Sequence, residues 1–206
     1  MAEMERQSQN QGSFNGLSEP MVAVLAQLCQ RLGPLTKTRA VKLTYLVDVL
    51  ANHFLGRPLT GGTHQTWDYG VVTTEVYRAI NRDRVGPLFR VEPHEFSESG
   101  SMLRLVGSPP AFDEAERAVV EHTAEHFGRL NAEDLGTLTK AMNIHLGPDA
   151  WGKNHRASIG DDAFARLSET SLRLHRLLPE LDLEDRAKWG EPIGDPKAFA
   201  KSVFGL

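Results

Sequence analysis

The chain has 206 residues, of which 40% are hydrophobic and 24% are charged, a composition typical of a globular protein with one sizeable core. Its formal net charge of −4 at pH 7 excludes a molecule that is cationic as a whole, as many nucleic-acid-binding proteins are. Cys29 is the only cysteine, which excludes an intrachain disulfide and a Cys-x-x-Cys metal site, so we expect the chain in the reducing cytoplasm.

The N-terminal segment, residues 1–17, is rich in Gln, Ser, Asn and Gly. Because it lacks an apolar stretch, it predicts a disordered tail rather than a signal peptide. No uninterrupted apolar run in the sequence approaches the roughly 20 residues that cross a bilayer. We therefore expect a soluble protein without a membrane partner.

Two apolar helices are predicted next. The first covers residues 19–31 and ends at Gly33-Pro34. The second runs from about residue 36 to residue 55. Its polar residues Thr44, Asp48 and Asn52 repeat every four positions and form one narrow stripe, while apolar residues cover most of the remaining surface. Such a helix is typical of a position buried between neighbours, so we expect it at the centre of the domain.

The segment after the central helix combines a helix stop with an aromatic cluster. Gly56-Arg57-Pro58 ends the helix, and Trp67-Asp68-Tyr69-Gly70 leads into a short extended stretch. Thr73 or Thr74 is expected to cap a third helix. Residues 88–91 and 102–106 then predict two short strands joined by a loop of Glu, Ser and Gly, which indicates a small β-hairpin.

The remaining elements are predicted to be helical. Asp113, with Glu116 at the capping-box position, begins a helix that continues to about residue 130, and Asn131 begins another that ends before Gly147. Residues 161–178 predict an amphipathic helix, residues 180–185 an acidic connector, and Asp195-Pro196 a short final helix. The predicted fold is mostly α (α+β): a compact helical domain around the buried central helix, with a small β-hairpin or a three-stranded sheet.

Several of these residues together resemble a known family. They are Lys42-Leu43, Tyr45-Leu46, Gly56-Arg57-Pro58-Leu59, Trp67-Asp68-Tyr69-Gly70 and Val76-Tyr77. The pattern is similar to that of the Panacea domain, the SocA-like antitoxin family that is also seen in phage-associated proteins. Val71 stands where the family usually has proline, and Lys140 stands where it often has histidine. The resemblance covers roughly Pro20 to Trp151.

The resemblance implies a Panacea-like antitoxin domain over residues 18–152, followed by a C-terminal helical extension over residues 153–206. It implies a cytoplasmic antitoxin, linked to phage defence, that neutralises a cognate protein toxin encoded next to it by direct binding, without catalysis and without a cofactor. One family member hands its toxin to a ClpXP-type protease, which is therefore a further implied partner. The candidate partner-binding residues are Lys42, Tyr45, Asp48, Trp67, Tyr69, Tyr77, Arg78, Phe199 and Phe204.

The aromatic candidates have two interpretations. Trp67, Tyr69 and Tyr77 are of types that are enriched at interface hot spots, yet large aromatic side chains more often pack a core. The segment from Phe199 to Phe204 either docks into a groove of a partner or packs back on its own domain.

The role of Lys42 also has two interpretations. It lies off the polar stripe of the central helix, so its amine either extends along apolar neighbours to solvent or pairs with an acid. Asp68 or Glu75 is an example of such an acid, and the pair would fix the turn onto the helix. A contact with the toxin is the alternative.

A zinc peptidase is one alternative function. His122, Glu125 and His126 spell the H-x-x-E-H pattern of one class of zinc peptidases, with both histidines on one helix face. No flanking motif supplies a third ligand. We therefore predict no metal site and no catalytic residue.

A winged-helix-like, DNA-binding transcriptional regulator, which could control its own operon, is the other alternative. The helix after Val72 and the following hairpin would be a recognition helix and a wing, with several arginines facing phosphate. These are Arg78, Arg82, Arg84, Arg90 and Arg104. Acidic residues in the same region balance their charge, whereas DNA-binding faces are normally clearly basic.

Overall fold

The structure, a computed structural model, describes residues 13–14, 16–94, 100–143 and 158–159. The helices in this part of the chain are α1 (Glu19–Leu32), α2 (Lys37–Leu55), α3 (Thr74–Asn81), α4 (Glu114–Phe127) and α5 (Ala132–Met142). The strands are β1 (Ser13–Phe14), β2 (Leu17–Ser18), β3 (Leu35–Thr36), β4 (His64–Trp67), β5 (Gly70–Thr73), β6 (Phe89–Pro93), β7 (Ser101–Leu105) and β8 (Ser158–Ile159). The prediction of a mostly helical fold with small sheets is confirmed. None of these described helices combines the length and the apolar character that crossing a membrane requires.

Helix α2 is the central helix of the domain, as predicted. All of its residues from Ala40 to Ala51 are buried, and it packs against α1, α3, α4 and α5 as well as β5. Thr36 begins it by accepting a backbone N–H, and Gly56 ends it at a φ of 71°, the left-handed conformation that glycine adopts at little cost. Thr44 and Asp48 of its polar stripe have no exposed surface. Their hydrogen bonds must therefore be satisfied inside the protein.

Three small antiparallel sheets surround the helices. One has the strand order β3–β7–β6, the second has the order β5–β4–β8, and β1 pairs with β2. The β1–β2 pair lies in the range predicted as a disordered tail, and Leu17 of β2 is buried in the core. β8 brings Ile159, from the predicted C-terminal extension, opposite His64 and into the core. Both flanking segments thus add strands that are too short for a periodicity signal.

The β4–β5 hairpin was predicted only in part: a short extended stretch was expected after the aromatic cluster, but residues 64–67 were not assigned to a strand. They form a strand in which His64 and Thr66 are buried while Gln65 and Trp67 are half-buried. Trp67 pairs with Gly70, so the two residues between them form the turn of the hairpin.

One helix end and one helix cap differ in detail from the prediction. Helix α4 ends at Phe127 and not near residue 130, because Asn131 takes an extended conformation in order to cap α5. Thr73 precedes α3 at the cap position but makes no side-chain cap bond. Its hydroxyl donates instead to the Val41 carbonyl oxygen at 2.9 Å.

The helices predicted over residues 161–178 and from Asp195 onward, with the acidic connector at residues 180–185, lie outside the described residues.

Candidate partner-binding site

Lys42 reaches from α2 to the turn of the β4–β5 hairpin. Its Nζ donates to the Tyr69 carbonyl oxygen at 2.5 Å and to the Val71 carbonyl oxygen at 3.3 Å. The residue is buried, so its amine does not extend to solvent, and carbonyl groups take the place of the expected acid, Asp68 or Glu75. Burial, together with the charge of Lys140, lowers the pKa of Lys42 to about 7. Lys42 is therefore an internal support for the turn.

Helix α5 packs against the same turn. Gly136 and Thr139 of α5 meet Gly70 of the hairpin there. The Val71 N–H donates to Thr139 Oγ1 at 3.1 Å, and the Thr139 hydroxyl donates to the Gly136 carbonyl oxygen at 3.0 Å. Gly70 has a φ of 99°, and a Cβ added there would lie 2.7 Å from the Gly136 carbonyl oxygen. A Cβ on Gly136 would lie 2.8 Å from the Tyr69 carbonyl oxygen. The turn is thus held between α2 and α5 at a distance that only glycine permits.

The side chain of Tyr69 extends from this fixed turn into solvent. Tyr69 is 83% exposed, compared with 48% for Phe54 and 51% for Val106, the other exposed large hydrophobic residues of the described part. Its backbone carbonyl is held by Lys42 while its ring lies on the surface. An aromatic ring on a rigid support loses little conformational entropy when a partner buries it.

Trp67 and Tyr77 form a half-buried aromatic pair on the hairpin and α3. Their ring centroids lie 4.8 Å apart at an interplanar angle of 64°, an edge-to-face contact. Lys37 Nζ lies 5.1 Å from the Tyr77 ring centroid and donates to Asn81 Oδ1 at 2.8 Å. Arg78, the next residue on α3, is exposed. The pair therefore serves both the core and the surface, since each ring is partly open to solvent.

Asp48 is the centre of a buried polar network that secures the loop after α2. Its Oδ1 accepts the Leu59 N–H at 2.9 Å and the Thr60 N–H at 2.7 Å. Its Oδ2 accepts the Thr60 hydroxyl and lies 2.9 Å from His64 Nε2. Four donors around one carboxylate compensate for its complete burial. The network ties α2 to the hairpin, and sequence reasoning did not identify His64 or Thr60 as parts of it.

His64 links Asp48 to Thr73. Its Nδ1 lies 3.1 Å from Thr73 Oγ1, and the Thr73 hydroxyl hydrogen is directed at the Val41 carbonyl oxygen. The imidazole thus bridges the Asp48 carboxylate of α2 and Thr73 at the end of β5. The Asp–His–Thr order resembles a hydrolase triad, but all three side chains are buried away from any substrate. The geometry therefore indicates structural support.

Tyr45 is a further buried candidate. Its hydroxyl oxygen accepts from Asn143 Nδ2 at 2.9 Å, and its ring makes an edge contact with His64 at a centroid distance of 5.2 Å. Burial raises the pKa of the Tyr45 hydroxyl well above its usual value. Tyr45 therefore joins α2 to the end of α5 as a neutral phenol.

The structure separates the predicted site residues by exposure. Three are buried: Lys42, Tyr45 and Asp48. Two are half-buried, Trp67 and Tyr77, and two are exposed, Tyr69 and Arg78. Phe199 and Phe204 lie outside the described residues. His64 and Thr66, which sequence reasoning missed, carried no local signal, because β4 has four residues and its His-Gln-Thr-Trp sequence does not alternate apolar and polar side chains.

The histidine pair of the H-x-x-E-H pattern lies on α4. The ring centroids of His122 and His126 are 4.1 Å apart, and the His122 ring makes an edge contact with Phe54 at 6.0 Å. Within the ranges that the structure describes, no three His, Cys, Asp or Glu side chains are arranged to hold a metal ion.

The comparisons with known proteins agree with the resemblance of the sequence motifs. The family model described as "Antitoxin SocA-like, Panacea domain" matches residues 40–143, half of the chain. The chain belongs to this family. No curated protein and no solved structure matches it. The Panacea domain begins inside α2 and ends with Asn143, so it contains the hairpin turn and the residues of α2 and α5 that hold it. The family description names an antitoxin and not an enzyme.

Proposed function

We propose that the chain neutralises a protein toxin, encoded next to it, by binding it directly through a surface centred on Tyr69. Membership in the antitoxin family supports the neutralising role. The single observation that carries the location is the 83% exposure of Tyr69 on a turn whose backbone is fixed from two sides.

The chemistry of the surface fits a protein partner. Hot spots of protein interfaces are enriched in tyrosine, tryptophan and arginine, because these side chains bury a large area and also form polar contacts. Tyr69 supplies the exposed ring, while Trp67 and Tyr77 supply the half-open faces of an aromatic pair. Arg78 adds an exposed guanidinium next to Tyr77. We infer that Tyr69 inserts into an apolar pocket of the toxin and that the other residues surround it.

The three buried candidates act by positioning this surface. Lys42 holds the Tyr69 carbonyl, Asp48 holds the loop that enters the hairpin, and Tyr45 braces α2 against α5. Their replacement would weaken toxin binding through the fold and not through a lost contact.

Co-expression tests the proposal. The neighbouring gene is induced alone and together with this chain, and growth is measured. We expect the neighbour to arrest growth, wild type to restore it, and Tyr69→Ala to fail to restore it. Affinity for the purified toxin should fall at least about 30-fold, the effect of losing a hot spot of about 2 kcal/mol. Phe54→Ala, which removes an exposed aromatic ring from the end of α2, is the matched control.

Two results would contradict the proposal. A harmless or unrescued neighbour would remove the antitoxin role. Full rescue by a folded Tyr69→Ala variant would remove the assigned surface. A chain truncated after residue 194 tests the expectation that Phe199 and Phe204 contribute to binding.

We propose the cytoplasm as the compartment, since the lone Cys29 is buried as a free thiol. The half-life of the toxin in cells with and without a ClpXP-type protease distinguishes blocking of the toxin from its delivery to proteolysis.

A further inference from the structure

The order of helices and strands around the first three-stranded sheet contains a second functional signal. Along the chain the elements follow as α1, β3, α2, α3, β6 and β7. β7 lies between β3 and β6 and is antiparallel to both. Winged-helix domains have this connectivity, and their third helix is the one that enters the major groove of DNA. Here the β4–β5 hairpin is inserted between the second and the third helix.

Helix α3, in the position of the recognition helix, carries Arg78 on its exposed side, and two more arginines follow at and beyond its C-terminal end. Val76, Ala79 and Ile80 are buried against the domain. Arg78 and Arg82 are exposed and lie one helical turn apart, with the Arg82 N–H bonded to the Arg78 carbonyl oxygen at 3.1 Å. Arg84 lies just after the end of α3, and its N–H donates to the Ala79 carbonyl oxygen of the helix at 2.8 Å. We call Arg78, Arg82 and Arg84 the α3 arginine face.

Two acids lie near this face, Glu75 and Asp83, and neither forms an ion pair with its arginines in the part of the chain that the structure describes, although the charges of both acids remain. Glu75 is engaged elsewhere, since its carboxylate accepts the Thr63 N–H at 3.0 Å and the Thr74 hydroxyl at 3.2 Å. Burial raises the pKa of Glu75, but these hydrogen bonds outweigh it and lower the pKa overall. Among the described residues, no salt bridge involves an arginine of the α3 arginine face, and Asp83 is the one acid within its sequence span.

The β6–β7 hairpin, in the position of the wing, also carries arginines that repel each other. Arg90 and Arg104 are direct cross-strand neighbours, and both are exposed. Like charges placed opposite one another destabilise a sheet. Glu92 pairs with Arg104 at 2.8 Å, which leaves the charge of Arg90 for another partner.

We propose that the α3 arginine face binds the phosphate backbone of double-stranded DNA, with α3 along the major groove. This activity goes beyond toxin neutralisation: it shares Arg78 with the proposed toxin surface, but Tyr69 belongs only to that surface and Arg82 and Arg84 only to the α3 arginine face. We favour DNA as the occupant because phosphate binding needs exposed cations and no apolar area, and all three arginines of the face are exposed.

Fluorescence anisotropy with the full chain and a labelled duplex of about 30 base pairs of mixed sequence tests the proposal. A protein with a net charge of −4 should not bind this duplex unless a local cationic face exists. We expect binding at about 50 mM salt that weakens steeply as salt is added. The double variant Arg82→Gln/Arg84→Gln, which leaves Arg78 of the proposed toxin surface in place, should bind at least about tenfold more weakly, and its log–log salt slope should be smaller by about 2.

Arg129→Gln is the matched control, because it removes an exposed arginine from the connection between α4 and α5. Its affinity for the duplex should stay within about twofold of wild type. Absence of binding by the wild type would overturn the proposal, and so would equal binding by the folded double variant. Toxin binding that is lost in the double variant while DNA binding persists would assign the face to an acidic protein surface instead.

The outcome is separable from that of toxin neutralisation. The double variant should still rescue growth, and Tyr69→Ala should still bind the duplex. If the test of DNA binding fails, the proposal of toxin neutralisation still stands, and the reverse also holds.

Discussion

The Lys42 amine lies 2.5 Å from the Tyr69 carbonyl oxygen, although 27 positions separate the two residues in the chain. The contact joins the most buried helix of the domain to its most exposed large aromatic residue. A buried amine is costly unless its hydrogens are used, and here two carbonyl groups use them. These hydrogen bonds offset the desolvation cost of burying Lys42. They also hold the turn, so that it presents Tyr69 in one orientation.

The stability of the protein should rise with pH above neutrality because of Lys42. The pKa of its amine is lowered from 10.5 to about 7 in the folded protein, mainly by burial. Between about pH 7 and pH 10 the unfolded chain binds a proton that the folded chain does not, so raising the pH favours folding by up to about 1 kcal/mol per unit. Below pH 7 both states are protonated and the effect vanishes. Urea unfolding at several pH values measures it.

Lys42→Met should remove this component of the pH dependence, whereas Lys37→Met, a change at a partly exposed lysine, should retain it. Equal slopes for wild type and Lys42→Met between pH 7 and pH 10 would show that Lys42 titrates normally in the folded protein.

Gly70→Ala should destabilise the domain by about 2–4 kcal/mol, since it combines a positive φ with a steric clash. The new methyl group would lie 2.7 Å from the Gly136 carbonyl oxygen and 2.9 Å from Lys42 Nζ. Gly61→Ala is the matched control: its φ is also positive, at 61°, but no atom lies within 4 Å of the added Cβ. It should cost about 1 kcal/mol. Thermal unfolding of both variants measures the difference, and equal losses would show that α5 does not press on the turn.

Asp48→Asn should cost about 3–5 kcal/mol of unfolding free energy, because it leaves His64 without its charged partner in the core. The amide also places a donor against the Thr60 hydroxyl. Glu92→Gln breaks the more exposed pair with Arg104 and should cost at most about 1 kcal/mol. Chemical denaturation of the two variants distinguishes them, and a loss below about 1 kcal/mol in Asp48→Asn would contradict the central role of this carboxylate.

The Cys29 thiol should be unreactive in the folded protein. Burial raises its pKa to about 12, and its Sγ lies 3.7 Å from the Leu103 carbonyl oxygen. Only the thiolate attacks a disulfide reagent, so labelling at about pH 8 should follow unfolding. Ser108→Cys, at an exposed position, should react at once and is the positive control. Rapid labelling of the native wild-type chain would show that α1 opens without global unfolding.

The sequence predicted the long elements of the fold correctly, because each carries several local signals. Helix α2 has an apolar circumference and a glycine stop, and the structure places both as expected; the structure adds that Thr36 caps its N-terminus. The short strands were harder, since two to four residues carry too little periodicity. β4 was therefore missed, and β8 pairs with it only through tertiary contact.

The candidate site was predictable as a set of residues and not as a surface. The motif contains both Lys42 and Tyr69. However, the type and sequence position of a lysine or an aromatic residue do not predict whether its side chain is exposed to solvent. Trp67 and Tyr69 stand two positions apart, yet one ring is half-buried while the other is largely in solvent. The turn between the strands separates their directions.

The helical class, the central helix and the family motif could be predicted from the residues alone, because composition, periodicity and caps are local properties of the chain. Which motif residues meet solvent and which support the turn depends on how the helices and the hairpin pack. The partners of Lys42, Asp48 and Gly70 come from segments far away in sequence, so their roles depend on packing that no local pattern encodes.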